Sequence, residues 1–449
     1  MSRPAVIFSL ALLVALVGIM APSPATPAIR AASPVVASQI VPGSVNRTSV
    51  HLEATYRATL RLNWGTRAVR VTSTATVRNT SGGAIDRIEL NTVAAVLGRM
   101  RLRFNTVDGV AAPATVSGQT ITVPLGGNLP AGATTTVRIR YTARLRTGLG
   151  GSSWYYTKAN GIANLYRWLP WISRARQFER PNYGDPFVTA SSPHVRVRIV
   201  PDRRLDFATS GNRVAVDGLA QTFEARNVRD FTVTASPDFI RRTTTVGSIK
   251  VVGVARSAAI AARLRDEGAR ALRKLRRLLG PYPHATYRVV QSAGGYAMES
   301  PALSWLPTGL APSSYRYLVT HETAHQWFYG IVGNDQAREP FTDEAAADFV
   351  TRYVLGAKRS SACAKSRLDR TIYQYSAGCY FEIIYIQGGN LLDRVRQRMG
   401  STRFWNAMRS YVAAHRNDLV STRTLLTWLD DATPLDLSGM FAPRFPRLF

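Results

Sequence analysis

Cysteine is nearly absent from this chain: among 449 residues there are two, Cys363 and Cys379. No CxxC or Cys/His spacing surrounds either one, which argues against a thiolate metal site. Close together in a chain that reads as exported, they suit one disulfide closing a short loop; the alternative is two unpaired buried thiols. Lysine is scarce as well, found at Lys158, Lys250, Lys274, Lys358 and Lys365, so the formal charge of +29 is mostly arginine. A basic balance can serve nucleic acid or an anionic surface. The arginines are spread along the chain, however, and only Arg270 to Arg277 make a local cluster, on an amphipathic helical pattern where a solvated face is expected. We therefore expect no nucleic-acid partner and read the charge as a solubility and cell-surface feature, suited to a membrane or an anionic cell envelope. A long apolar run is also missing. Val6 to Ala21, preceded by Arg3, is too short for a comfortable membrane span and ends among small residues and prolines. Residues 1–32 read as a signal peptide or an uncleaved anchor, and no cysteine lies near for a lipid anchor. No internal repeat is visible.

What is present is core material. A hydrophobic content of 45% with 19% charged residues describes a globular chain, and its length predicts two folded domains. After an Ala/Pro/Ser-rich linker through residues 33–46, residues 47–239 carry a β pattern. Val69 to Val77, Thr136 to Tyr141 and Val195 to Val200 alternate apolar with polar residues, burying one sheet face and wetting the other. Turn clusters such as Asn79 to Gly83 and Pro130 to Gly132 separate them. An antiparallel sandwich or saddle fits, with Trp154, Trp168 and Trp171 as core or interface aromatics. Residues 240–449 change character. Ile260, Leu264, Leu272, Leu275 and Leu279 trace one stripe of a helix from Ser257, stopped by Gly280-Pro281. A short strand at Tyr287 to Val290 and a glycine turn at Gly294-Gly295 follow. Beyond Ser313 nearly every signal is helical, including two late helices through Leu391 to Met399 and Phe404 to Val412.

One motif carries chemistry. His321-Glu322-Thr323-Ala324-His325 lies in a helical stretch expected to run from Tyr315 to Val332. Residues four apart share a helix face, so both imidazoles can reach one cation. Glu322 sits one step round, beside the cation, where it can take a proton from an attacking water. Zinc in such a site needs a third protein ligand and an open fourth position. A metzincin would have a histidine six residues after His325, but Ile331 is there. A gluzincin uses a glutamate from a following helix. Glu344 stands with eighteen residues between it and His325, just after Pro340 and before the helical run Ala345 to Val350.

The segment His321 to Phe349, HETAHQWFYGIVGNDQAREPFTDEAAADF, resembles the aminopeptidase N family of gluzincin zinc peptidases, particularly its shorter bacterial exported members. The resemblance implies an α+β multidomain protein in which the β domain precedes a thermolysin-like, mainly helical catalytic domain. It implies one zinc ion held by His321, His325 and Glu344, with Glu322 as general base. Gly295 to Ser300 resembles the family's Gly-x-Met-Glu-Asn motif, with Tyr296 at the usual glycine and Ser300 at the usual asparagine. On that resemblance Glu299 binds a substrate's free α-amino group, and Ala297 and Met298 line its backbone. Tyr385-Ile-Gln-Gly388 resembles a Tyr-x-Lys-Gly segment, which makes Tyr385 the oxyanion donor in preference to its neighbours Tyr380 and Tyr375. The family's large C-terminal helical domain has no room here, so the site should be an open groove between two domains.

The implied function is zinc-dependent hydrolysis of N-terminal peptide bonds, with a peptide or protein as substrate. The alternatives are an endopeptidase or specialised amide hydrolase on the same zinc site, and a non-catalytic zinc-bearing surface binding protein.

Overall fold

The computed structural model describes residues 1, 38–174 and 188–449. The expected signal or anchor, and the start of the linker, lie outside the described residues. No helix among the described residues is long and apolar enough to cross a membrane. Within residues 38–46, Val41 pairs with Asn128, and the Asp86 carboxylate accepts hydrogen bonds from Ser44 Oγ and from the backbone of Asn46 and Arg47.

The first half is built of sheets. An eight-stranded sheet has the central order Val195–Pro201, Glu53–Leu62, Ala68–Arg78, Thr134–Arg144, Arg101–Val107. The three alternating segments identified in the sequence are all strands of it. Their apolar positions face inward: Val69, Val71, Val137, Ile139, Val195 and Val197 are each 2% exposed or less. Buried residues of two four-stranded sheets join them in one core. Trp168 and Trp171 are buried between the layers, the Trp168 indole donating to Phe231 O at 2.8 Å and that of Trp171 to Ala190 O at 2.8 Å. Pairing in the large sheet is antiparallel with one exception: Glu53–Leu62 runs parallel to Val195–Pro201, Tyr56 opposite Val195. A parallel neighbour needs a long crossover, and here the intervening strands supply it.

The second half opens with a five-stranded sheet, in the order Ile240–Val246, Ile249–Ala255, Thr286–Ser292, Leu303–Pro307, Met298–Ser300. Of these, only the strand at Tyr287 was expected. The sheet is shared between two cores. Val252, Val254, Val290 and Trp305 pack with the β half, while their neighbours Val251, Val289 and Leu306 pack with the helices. A strand apolar on both faces lacks the alternation that marks a half-wet one, and Ile249–Ala255 has none. The helix Ala258–Leu279 covers the second face, burying Leu264, Leu272, Leu275 and Leu279, with Ile260 only partly covered. Arg273, Lys274 and Arg277 stay in solvent, as expected. The late helices form at Gly389–Met399 and Ser401–Ala414. Cys363 and Cys379 are joined in a disulfide, their Cα atoms 5.9 Å apart.

Candidate metal centre

The helix carrying the histidines is shorter than its sequence pattern. It spans Ser314–Ala324, and His325 closes it in helical conformation, whereas continuation to Val332 was expected. Beyond it the chain reverses on wide turns: Gly330 N donates to His325 O at 2.8 Å and Ile331 N to Gln326 O at 3.1 Å. Tyr329 adopts φ 122°, a conformation costly for a large side chain. The His325 ring holds this reversal, since its Nδ1 lies 3.0 Å from Phe328 O.

Glu344 comes from a π-helical turn, Phe341–Ala345, that begins after Pro340 and runs into the helix Ala346–Leu355. Tyr385 comes from a second π-helical segment, Glu382–Gly388. Such turns recur at functional sites because the extra residue per turn re-aims side chains. The two pack closely: a Cβ on Gly388 would lie 2.7 Å from that of Ala345, so only glycine fits.

The expected ligands converge. His321 Nε2 and His325 Nε2 are 3.2 Å apart, and each is 3.4 Å from Glu344 Oε2. Four ligands about 2.0–2.1 Å from one zinc ion at tetrahedral angles stand roughly 3.3–3.4 Å from each other. The His325 tautomer is set by its surroundings. Nδ1 faces two acceptors, Phe328 O and Asp343 Oδ1 at 2.8 Å, so it carries the proton and Nε2 offers a lone pair. Two imidazole nitrogens and a carboxylate oxygen, all buried, then face one point. His321 is oriented by packing, its ring stacked between Tyr317 at 6.1 Å and Tyr385 at 5.7 Å. The donor set and its spacing fit a tetrahedral zinc ion with one position free.

Electrostatics favour positive charge here. Burial would lower the His325 imidazole, yet Asp343, Glu299 and Glu344 raise it well above its ordinary value. For Glu344, burial is outweighed by His325 and His321, which hold it well below the carboxylate range. Glu322 goes the other way: burial raises it to about 7 against the pull of His321 and His325. Its Oε2 has no hydrogen-bond partner.

These groups open on a cleft of about 380 Å³. His321, Glu322, Glu344 and Tyr385 line it, together with Tyr296, Ala297 and Met298 from the edge of the five-stranded sheet. Trp154 and Tyr155 reach it from the β half, so Trp154 is an interface aromatic that also borders the cleft. Gly295, at φ 91°, lets the chain pass it, since a Cβ there would lie 2.3 Å from Trp154 Cγ. The Tyr385 hydroxyl faces the Glu344 carboxylate; burial and that charge push it well above its ordinary value, so it remains a proton donor. Tyr380 lines the same cleft, whereas Tyr375 turns away to Arg367 O. Glu299 is buried with His325 and Asp343 rather than on the cleft lining, its Oε1 accepting from Gln336 Nε2 at 3.1 Å.

Three comparisons bear on this arrangement. No family model matches the chain, and no curated protein matches it in sequence. Solved structures do match. An M1 zinc metallopeptidase from Deinococcus radiodurans superposes with a TM-score of 0.69 at 20% identity, over 92% of this chain and 97% of that one. The fold is shared with M1 zinc metallopeptidases. A mutant of the Deinococcus enzyme bound to a Tyr-Ser-Ala substrate gives a TM-score of 0.68 at 20% identity, over 90% and 96%. A two-domain M1 zinc metallopeptidase mutant bound to L-tryptophan gives 0.69 at 20%, with the same coverage.

On this M1-like fold, the sequence reading missed a buried polar chain behind the ligands. Gln336 Nε2 donates to Asp343 Oδ2 at 2.8 Å as well as to Glu299, and Arg167 reaches Tyr329 OH at 3.1 Å. Tyr329 in turn donates to Asp230 of the β half. Asp343 could have been suspected as the acid next to Glu344; no spacing rule points to Gln336, Arg167 or Asp230.

Proposed function

We propose that the chain is an exported zinc aminopeptidase of the short, two-domain kind. In this reading a β domain over residues 47–239 precedes a thermolysin-like peptidase domain over residues 240–449, behind a signal or anchor at 1–32 and a linker at 33–46. The observation that carries it is the convergence of His321, His325 and Glu344, with the unpartnered Glu322 carboxylate beside them in a cleft. When bound, zinc supplies Lewis acidity and lowers the pKa of a coordinated water towards roughly 7. Glu322 accepts a proton from the attacking water and returns it to the leaving amine. Tyr385 donates to the oxygen that gains charge at the scissile carbonyl. Ala297 and Met298, on the cleft edge, hold the substrate backbone. Glu299 is the carboxylate available for a free α-amino group, since an ammonium is best held by a fixed carboxylate near the scissile bond. The peptide bound to the Deinococcus mutant supports a peptide substrate, and the disulfide supports an oxidising compartment.

A second reading, cleavage within a chain, is favoured by one observation: the Glu299 carboxylate is already engaged by Gln336. One experiment separates the two. The full chain is analysed for metal, then incubated with a peptide mixture whose N-termini are free or acetylated. About one zinc per chain and loss of single residues from free N-termini only is the expected result. Equal cutting of both forms removes Glu299 from its role. A metal-free, inactive protein overturns the peptidase itself.

A further inference from the structure

Strand pairing collects arginines that are scattered in sequence. Across the outward face of the eight-stranded sheet, Arg196, Arg57, Thr74 and Arg138 stand side by side on four adjacent strands. The next row is Arg198, Thr59, Thr72 and Arg140. The third is Val200, Arg61, Arg70 and Thr142, with Arg101 beyond. Neighbours within a row are about 4.8 Å apart and alternate residues along a strand about 7 Å. On these four strands no acid stands in the rows, and on the next strand Glu224 lies opposite Arg196. Ion pairs occur at one edge only, Arg196 with Glu224 and Arg198 with Asp217 at 2.8 Å. Among the described residues, Arg57, Arg61, Arg70, Arg101 and Arg138 have no acidic partner, and all are exposed. Arg61 lies directly opposite Arg70, an arrangement that costs stability.

We propose that this face binds a linear acidic polysaccharide. Guanidinium groups grip sulfate and carboxylate through paired N–H donors, which ammonium groups cannot do. The threonines between them offer hydroxyls to the uncharged part of each sugar. Other polyanions fit less well. Single-stranded nucleic acid needs stacking rings, and the only aromatic here is Phe104 at the margin, beneath Arg140 at 5.5 Å. Duplex DNA is read by a helix or ribbon entering a groove, and this surface is a broad sheet. Membrane insertion needs apolar side chains standing out; Val200 is the only one in the three rows, and the exposed Val110, Val214 and Val216 stand on the outermost strands of the sheet rather than among the arginine rows.

The test uses the full chain and heparin oligosaccharides as probe, with affinity measured by fluorescence anisotropy from low to moderate salt. The Arg57→Gln/Arg70→Gln/Arg138→Gln variant should bind at least about tenfold more weakly at low salt and show a shallower salt dependence. An Arg270→Gln/Arg273→Gln/Arg277→Gln variant removes the same charge from the helix Ala258–Leu279 and should change affinity less than about twofold. Unchanged thermal unfolding of both variants checks the fold. Equal weakening by the two variants reduces the effect to net charge and overturns the proposal. So does an absence of heparin binding, or tighter sheet-face binding of a DNA duplex or of phosphatidylserine vesicles.

Discussion

On the central strands of the eight-stranded sheet, arginines stand in solvent on a regular lattice, met by the acids Glu224 and Asp217 at one edge. At and behind the cleft, Glu299, Glu322, Asp343 and Glu344 are packed together at 4, 4, 1 and 5% exposure. The first arrangement is tolerable because water and salt screen each arginine within about 8–10 Å. The second is not tolerable by itself, because buried carboxylates are expensive unless paired with cations. The sheet face keeps its charges apart in water; the buried cluster depends on cationic partners such as the His325 imidazole, raised well above its ordinary value.

That contrast can be broken by experiment. The largest effect is expected from Glu322→Gln, which should keep metal content unchanged and lower kcat by about 10³–10⁴. Full activity in that variant would remove Glu322 as the base. Chelation should abolish activity too, and also lower the thermal midpoint, because an ion bound only by the folded state stabilises it; added zinc should restore both. Tyr385→Phe should lower kcat by roughly 10²–10³ with little change in metal content, as loss of one oxyanion donor does. A large rise in KM with kcat intact would make it a substrate-packing residue instead. Asp343→Ala, which frees the His325 Nδ1 proton, should weaken metal binding by about 10–100-fold, read by competition with a chromophoric chelator. The smallest effect belongs to the sheet: Arg61→Thr should leave stability within about 0.5 kcal/mol of the parent, on the stabilising side because Arg70 loses a like-charged neighbour. A marked loss of stability would mean that the arginine lattice is structural.

Legibility follows the same division. Alternation at Val69 to Val77 exposes the strands of the outer sheet, because one face is wet. The ligand motif is legible because metal chemistry restricts residue type and spacing together. Ile249–Ala255 is not, since from Val251 onward both its faces are dry and its pattern is continuous. The end of the histidine helix depends on a His325 ring contact with Phe328 O that no local propensity encodes. Gln336 and Arg167 meet only through tertiary folding. The arginine lattice is hidden for a further reason: each strand shows an ordinary polar face, and the one-signed surface emerges only when Arg57 is set beside Arg196 and Arg61 beside Arg70.

The five-stranded sheet has a mechanical consequence. Val251 and Val252 point into different cores, so neither half can loosen without exposing apolar surface on a strand the other half uses. Heat or denaturant should therefore melt the described body in one cooperative transition, not two. The edge strand Met298–Ser300, hydrogen-bonded to Leu303–Pro307 in that sheet, inherits this stiffness. The cleft wall formed by Ala297 and Met298 at this edge is therefore a rail rather than a loop.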